Sequence, residues 1–235
     1  MLQLMRKKVE NQNMQEALMK LSLYCIDSIK HKYFSYFRND IDCYIMEKKF
    51  DEGTIYKNIN PADLEGQDRI FEDCQFINCD LSYANFSHFT FINCAMDTCN
   101  LSLIKITDTG FQSVDFKDCK ITGVNFGDSS NFSLEVSFTK CLLDYTVWHK
   151  KKLKGTLFDE CSFEEADFSE TDLTNSVFQK CNLNRAIFNR TILKSADLRT
   201  AYNFNIDPEN NSITKAKFSA DALSGLLIKY NLVIE

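Results

Sequence analysis

Ten cysteines and three histidines are the side chains from which metal, redox or nucleophilic chemistry would be built in this chain. Cys74 and Cys79 have four residues between them, as do Cys94 and Cys99. A thiolate site for Zn2+ begins with such pairs. A disulfide framework would need an oxidising compartment, but the start, MLQLMRKKVENQ, has no apolar signal core. The expected setting is a reducing cytosol, where the Asn-x-Ser/Thr sites at Asn85, Asn100, Asn131 and Asn189 carry no glycan. His31, His88 and His149 fall in no Ser/His/Asp or Cys/His arrangement. Glu164 and Glu165 could be read as the paired acids of a glycoside-cleaving groove, but neighbouring outward carboxylates read more simply as solvated. No glycine-rich phosphate loop is present. The reading is a non-enzyme with no cofactor and no metal.

The positions of the cysteines follow from a repeat of period five. Stepping from Phe71 gives Phe76, Leu81, Phe86, Phe91, Met96, Leu101, Ile106, Phe111, Phe116, Ile121 and Phe126, all large and apolar. The register slips by two residues across GDSSNFSLEVS and resumes at Phe138, running without a miss through Leu143, Trp148, Leu153 and Phe158 to Leu198, with Phe218 in the same register. With 44% hydrophobic residues, such a run arises by chance with a probability on the order of one in a billion. Two residues before each centre the chain places something thin, such as Cys141, Thr146, Cys161, Ala166, Thr171, Ser176 or Cys181. The position just before the centre favours Asp or Asn. Neither an α-helix nor a flat strand has period five, so the chain must bend at each repeat. Eight cysteines stand at the thin position and align in columns twenty residues apart: 74/94, 79/99/119 and 141/161/181. Buried free cysteine packs as a small hydrophobe, and stacked thiols point alike rather than at one another, which disfavours bridging. One cation breaks the pattern. Lys151 falls on a thin position, where a buried ammonium is costly, and a local bulge or an escape of its side chain to the rim is expected.

The strings ANF, ADF, TDL, CNL and ADL are the signature of pentapeptide repeats, and residues from about 69 to 218 resemble that family. The resemblance implies an all-β solenoid, a right-handed quadrilateral β-helix with one pentapeptide per side and twenty residues per coil. Within the family the chain is most similar to the quinolone-resistance (Qnr-type) group and its microcin-immunity and albicidin-resistance relatives. The Cys-x-Phe/Leu rhythm of FEDCQFINCDLSYANF, the break between registers and the ending FSADALSGLLIKYNLVIE carry that likeness. It implies a DNA mimic that occupies the DNA-binding saddle of a type II topoisomerase, DNA gyrase or topoisomerase IV, and counters drugs or toxins that trap cleaved complexes. Members carry long loops that matter for drug protection. Here the only break before residue 199 is the two-residue slip near 127–137, and TAYNFNIDPENNSITK reads as a loop near 199–215.

Charge bears on that reading. Residues 1–61 hold 10 basic and 8 acidic side chains, and residues 62–218 hold 16 basic and 23 acidic, so the acid excess lies in the repeat body. A nucleic-acid-binding surface is not expected there. A rod of roughly 36 Å of B-DNA carries on the order of 21 negative charges, against a body balance of −7 here. Between Gly155 and Gln179 there is no Lys or Arg, and Asp159, Glu160, Glu164, Glu165, Asp167, Glu170 and Asp172 form an acidic belt around about one coil, the expected partner-binding surface. Lys150, Lys151, Lys152 and Lys154 precede it.

The two ends lie outside the rhythm. Residues 1–60 read as an α-helical N-terminal extension, with Met14, Leu18, Leu21, Cys25 and Ile29 on one stripe, and residues 1–45 as an extension or an upstream start preceding Met46. Residues 61–218 form the repeat domain. Residues 219–235 read as a capping helix striped by Ala222, Leu223, Leu226, Leu227 and Tyr230, followed by a short strand at 232–234. Homodimerisation is expected through Leu223, Leu226, Leu227, Tyr230, Leu232 and Ile234. No stretch has the 18 or so consecutive apolar residues of a membrane span. Two functions remain: a cytoplasmic topoisomerase-binding DNA mimic, or a pentapeptide scaffold for a different protein partner, since one fold hosts many functions.

Overall fold

A computed structural model describes residues 49–64, 68–130 and 134–233. The chain divides into two compact units, 1–47 and 48–235. The helical stripe expected between Met14 and Ile29 lies outside the described residues, as does the strand end at Ile234.

The second unit is an all-β solenoid of parallel strands. Phe50–Glu52 (β1), Ile70–Glu72 (β3), Thr90–Ile92 (β5) and Gly110–Lys117 (β7) stack in one ladder. Ile55–Lys57 (β2), Gln75–Ile77 (β4) and Ala95–Asp97 (β6) stack in a second ladder, which also joins β7. Leu134–Thr139 (β8), Leu157–Asp159 (β9) and Val177–Gln179 (β10) continue upward. Elsewhere the coils meet at single parallel bridges, among them Asp80 with Asn100 and Asp172 with Ile192. Partners stand twenty residues apart, so the sequence columns are physical stacks. The rings of Phe71, Phe91 and Phe111 lie 5.1 and 5.5 Å apart and within 8° of parallel.

Positive φ recurs every fifth residue from Asp68 to Asp118 and again from Lys140 to Ser195, with Gly123 and Gly155 taking their turns in the series. These are the bends that period five requires. An L-residue is strained there, and the next coil offsets the strain. The amides of Asp73, Tyr83 and Glu165, for instance, donate to the carbonyls of Ile92, Ser102 and Asn184 at 2.9 to 3.0 Å.

The register slip is a coil of twenty-two residues. Phe116 pairs with Phe138, and the ladder shifts between Phe111 and Val114. Their rings still stack at 5.0 Å. Lys151 does not escape to the rim. It is 2% exposed, and its ammonium donates to the carbonyl of Ser129. Its column runs Arg69, Phe89, Thr109, Ser129, Lys151, Thr171, Thr191 and Asn211, and the hydroxyls of Thr109, Thr171 and Thr191 donate to the carbonyls of Phe86, Trp148 and Phe168.

Three boundaries differ from the sequence reading. Among the described residues stacking already includes Phe50, ahead of 61, and the rhythm hid it because Asp51 stands where a large apolar residue is wanted. Its carboxylate accepts from Nε and Nη2 of Arg69 at 3.2 and 2.7 Å, and that guanidinium is itself buried over the Phe71 ring. The stretch expected to loop out at 199–215 stays in the solenoid. Tyr202, Ser212 and Lys217 pair with Asn182, Ile192 and Asp197, each twenty residues back, while Phe204 and Ile206 fill the interior. The C-terminal helix is two 3-10 segments, Ala220–Leu226 and Ile228–Tyr230, rather than an α-helix, and Leu232 and Val233 are not in a strand. Gly225 dictates this packing. It lies against Phe204, its carbonyl accepts from the Ile206 amide, and a Cβ there would come within 2.5 Å of the Phe204 carbonyl.

Candidate functional site

The cysteines form two stacks in the interior. Cys74 and Cys94 head one column, which continues as Val114. The second joins the two columns seen in sequence: Cys79, Cys99, Cys119, Cys141, Cys161 and Cys181 follow one another across the register slip. All eight are free and buried. Each thiol donates back to a carbonyl of the preceding coil, as Cys94 does to Phe71, Cys141 to Phe116 and Cys181 to Phe158 at 3.4 Å. Burial pushes the Cys94 thiol up to about 12 and also raises Cys74, while the adjacent thiol together with burial raises Cys99, Cys141 and Cys181. Cys119 and Cys161 move the opposite way, lowered by hydrogen bonds with the thiols above and below them, so thiols alternate along the column and it is burial that withholds all of them from reagents. Among the described residues no group of His, Cys, Asp and Glu is placed to hold a metal ion. Of the expected surface histidines, His88 is exposed beside Asp108 at 3.9 Å, and His149 is half-buried with Nδ1 at 3.2 Å from the Ser169 carbonyl.

The seven belt acids do come onto one coil, but coil stacking gives most of them partners invisible in the linear sequence. Glu160 meets Lys180 at 2.8 Å, Glu165 meets Arg185 at 2.9 Å, and Glu170 lies between Lys150 at 3.8 Å and Arg190 at 3.3 Å. Asp172 meets Lys154 at 3.1 Å. Glu164 accepts from the Asn184 side chain, Asp167 from the Ser169 amide, and Asp159 is half-buried. Lys180 holds the Glu160 carboxyl below the usual carboxylate range. At Asp172 burial opposes ionisation, but the Thr174 hydroxyl and Lys154 outweigh it and the carboxyl is also lowered.

The free negative charge lies elsewhere. Residues 134–217 carry 12 acids and 12 bases, whereas the described residues from 49 to 130 carry 12 acids and 6 bases. Asp73, Asp80, Asp108, Asp118 and Asp128 are exposed there; Lys120 acts on Asp80 and Lys151 on Asp108 and Asp128, so the acid excess is reduced but not cancelled. The sequence reading missed this surface because it searched for a stretch without bases rather than for acids lacking a base one coil away.

At the far end, Lys229 clasps Asp207 and Glu209 at 2.6 and 2.7 Å, and the Tyr230 hydroxyl donates to Glu209. Leu226 packs against the core and Leu227 is half-buried, leaving Leu223, Tyr230 and Leu232 of the expected dimer residues exposed, together with Ile228 and Val233. Among the described residues no helix is long and apolar enough to cross a membrane.

A parallel solenoid with a bend every five residues and a thin residue beside each large one defines a class of repeat scaffold. Residues 69–148 match the model of a pentapeptide repeat region, and residues 166–201 match pentapeptide repeats in eight copies. The chain is a pentapeptide-repeat protein resembling the Qnr type. It is similar to the full-length structure of QnrB1, a plasmid-mediated fluoroquinolone resistance protein, at 15% identity and a TM-score of 0.51, over 78% of this chain and 100% of that one. HetL, a pentapeptide repeat protein involved in heterocyst differentiation regulation from the cyanobacterium Nostoc sp. strain PCC 7120, matches at 15% identity and a TM-score of 0.43, over 75% of this chain and 92% of that one. No curated protein matches significantly in sequence.

Proposed function

We propose that this chain is a non-enzymatic, right-handed four-sided rod that imitates DNA and binds a type II topoisomerase, DNA gyrase or topoisomerase IV, in the cytoplasm. The observation carrying this reading is the twofold excess of acids over bases among the described residues from 49 to 130, with Asp73, Asp80, Asp108, Asp118 and Asp128 exposed. A basic DNA-binding groove is steered toward such a surface. The acidic belt around residues 159–172 contributes less, because its charges are compensated. The fluoroquinolone resistance ascribed to QnrB1 extends the proposal to protection of the enzyme from quinolones. Exposed Leu223, Ile228, Leu232 and Val233 at the C-terminal end support a homodimer formed there.

DNA supercoiling by purified gyrase, with and without a fluoroquinolone, tests the reading. Added protein should inhibit supercoiling or relieve the drug, and the combined change of Asp73, Asp108, Asp118 and Asp128 to Asn should weaken either effect at least several-fold. Neither effect at micromolar protein would refute it in favour of the second reading, a scaffold for a different protein partner. The modest charge of the solenoid beside that of DNA is the observation favouring this alternative.

A further inference from the structure

One run of strands extends on both sides of the register slip. β4, β6, the end of β7, β8, β9 and β10 pair in succession, and Val177, Asp197 and Lys217 continue the stack by single bridges. Left-handed bends border this face, among them Asp73 and Lys215 on one edge and Asp118, Lys140 and Lys180 on the other. Its charge reverses from end to end. From Asp73 to Asp118 the face and its edges carry Asp73, Asp97, Asp115 and Asp118 against Lys117. From Lys180 to Lys217 they carry Lys180, Arg199, Lys215 and Lys217 against Asp197. A surface acidic at one end and basic at the other is complementary to itself when one copy is turned end for end.

The columns also fix a register. Let a twofold axis cross the face midway between Ser137 and Leu157, so that each column meets itself in reverse order. Lys215 then falls opposite Asp73, Arg199 opposite Asp97, Lys180 opposite Asp118, and Glu160 opposite Lys140. Each contact occurs twice, and no like charges stand opposite one another. Sliding by one coil in one direction sets Glu160 against Asp118 and Lys140 against its own counterpart. Sliding by one coil in the other sets Arg199 against Lys117, Asp197 against Asp115 and Lys180 against Lys140. Like charges brought together in this way reject the wrong registers. Leu157, 44% exposed, adds an apolar contact beside the axis.

The area is sufficient. Eight coils at about 4.8 Å and a width of about five residues at about 3.3 Å give roughly 600 Å2 per copy. A pair would bury roughly 1,200 Å2, at the lower edge of specific interfaces, which suits a reversible contact. A foreign protein could match either end, but a second copy of this chain carries the whole pattern in reverse.

We propose that this face seats a second copy of the chain, turned end for end, in a reversible pair held in register by charge. The contact is separate from the apolar C-terminal end. It covers Asp73 and Asp118, so a paired chain has less acidic surface to offer a basic groove. That consequence rests on the topoisomerase reading, whereas the pairing itself does not.

Sedimentation equilibrium of the full chain at about 50 and about 500 mM salt tests it. The variants are Lys180→Glu/Lys215→Glu, its counterpart Asp73→Lys/Asp118→Lys, and an equimolar mixture of the two. The dissociation constant of the wild-type pair should rise about ten-fold or more at the higher salt. Each variant alone should pair about ten-fold or more weakly, because like charges then oppose one another at both ends. The mixture should return to within about three-fold of wild type, since every swapped charge again meets its opposite. Rescue on mixing requires both chains to be folded. If a double variant loses its urea transition, Lys215→Glu mixed with Asp73→Lys makes the same test. A wild-type chain that stays monomeric at about 100 μM and low salt would overturn the inference, as would a mixture that pairs no better than its components. Self-association indifferent to salt and to the reversals would belong to the C-terminal end and would also overturn it. Pairing and rescue without any wild-type effect on gyrase would remove the topoisomerase reading and leave the pair standing.

Discussion

The ammonium of Lys151 donates to the carbonyl of Ser129, from the coil above the register slip to the coil that contains it. Its neighbours along the column are small hydroxyls, Ser129 below and Thr171 above, next to the coil that carries two extra residues. Burial lowers its pKa, while Asp128 and Asp108 act in the opposite direction.

The sign of the pH dependence follows. A lysine whose folded-state pKa is depressed binds fewer protons folded than unfolded, so stability rises with pH through the window between the lowered value and the ordinary value of about 10.4. The difference in urea midpoint between wild type and Lys151→Met should grow in favour of wild type as pH is raised from neutrality toward that window. A difference that stays flat with pH would show that the amine is already free of its burial cost.

Packing predicts the behaviour of the thiols. Site-resolved iodoacetamide labelling should find Cys74, Cys79, Cys94, Cys99, Cys119, Cys141, Cys161 and Cys181 unreactive in native buffer and rapidly labelled in urea. Cys141→Ala should cost about 1–2 kcal/mol by leaving a small cavity in the stack. Rapid native labelling of most of the eight would contradict the interior placement.

The C-terminal segment depends on Gly225. Gly225→Ala forces a Cβ against the Phe204 carbonyl and ring, which should undock the 3-10 turns at a cost of about 1–3 kcal/mol. Trypsin would then cut after Lys229 faster than in the wild type, where Asp207 and Glu209 hold that side chain. If the homodimer forms through this end, light scattering should report a monomer for the same variant. Unchanged protease resistance would contradict the docking.

The belt makes a contrasting prediction. Exposed pairs are worth about 0–1 kcal/mol each, so combined replacement of Glu160, Glu165 and Glu170 by Gln should shift stability only modestly and leave the effect on gyrase unchanged. Glu170→Lys is different, since it sets three cations in one column with Lys150 and Arg190. It should cost more than the glutamine, and added salt should restore part of the loss. A strong loss of gyrase response in the triple glutamine variant would return the binding surface to the belt.

Period five by itself determined the interior of this protein. Phe71, Phe91 and Phe111 had to stack, and Cys94 or Cys161 had to be thin filler rather than ligand, because a chain that bends every five residues presents the same two positions inward at each step. The slip near 127–137 was legible for the same reason. What the sequence could not display is any relation between residues a coil apart that breaks the rhythm or lies outside it. Asp51 hid the first coil because its carboxylate stands in an apolar column and is balanced by buried Arg69. Phe204 and Ile206 kept the apparent loop inside the solenoid. Glu165 looked free among acidic neighbours until stacking set it against Arg185. Leu103 looked like one more outward residue until Gly123 came to lie beside it. Inward periodicity is local and survives in one dimension, whereas the surface is assembled from segments about twenty residues apart, and only the stacked coils decide which charges remain and which apolar side chains meet.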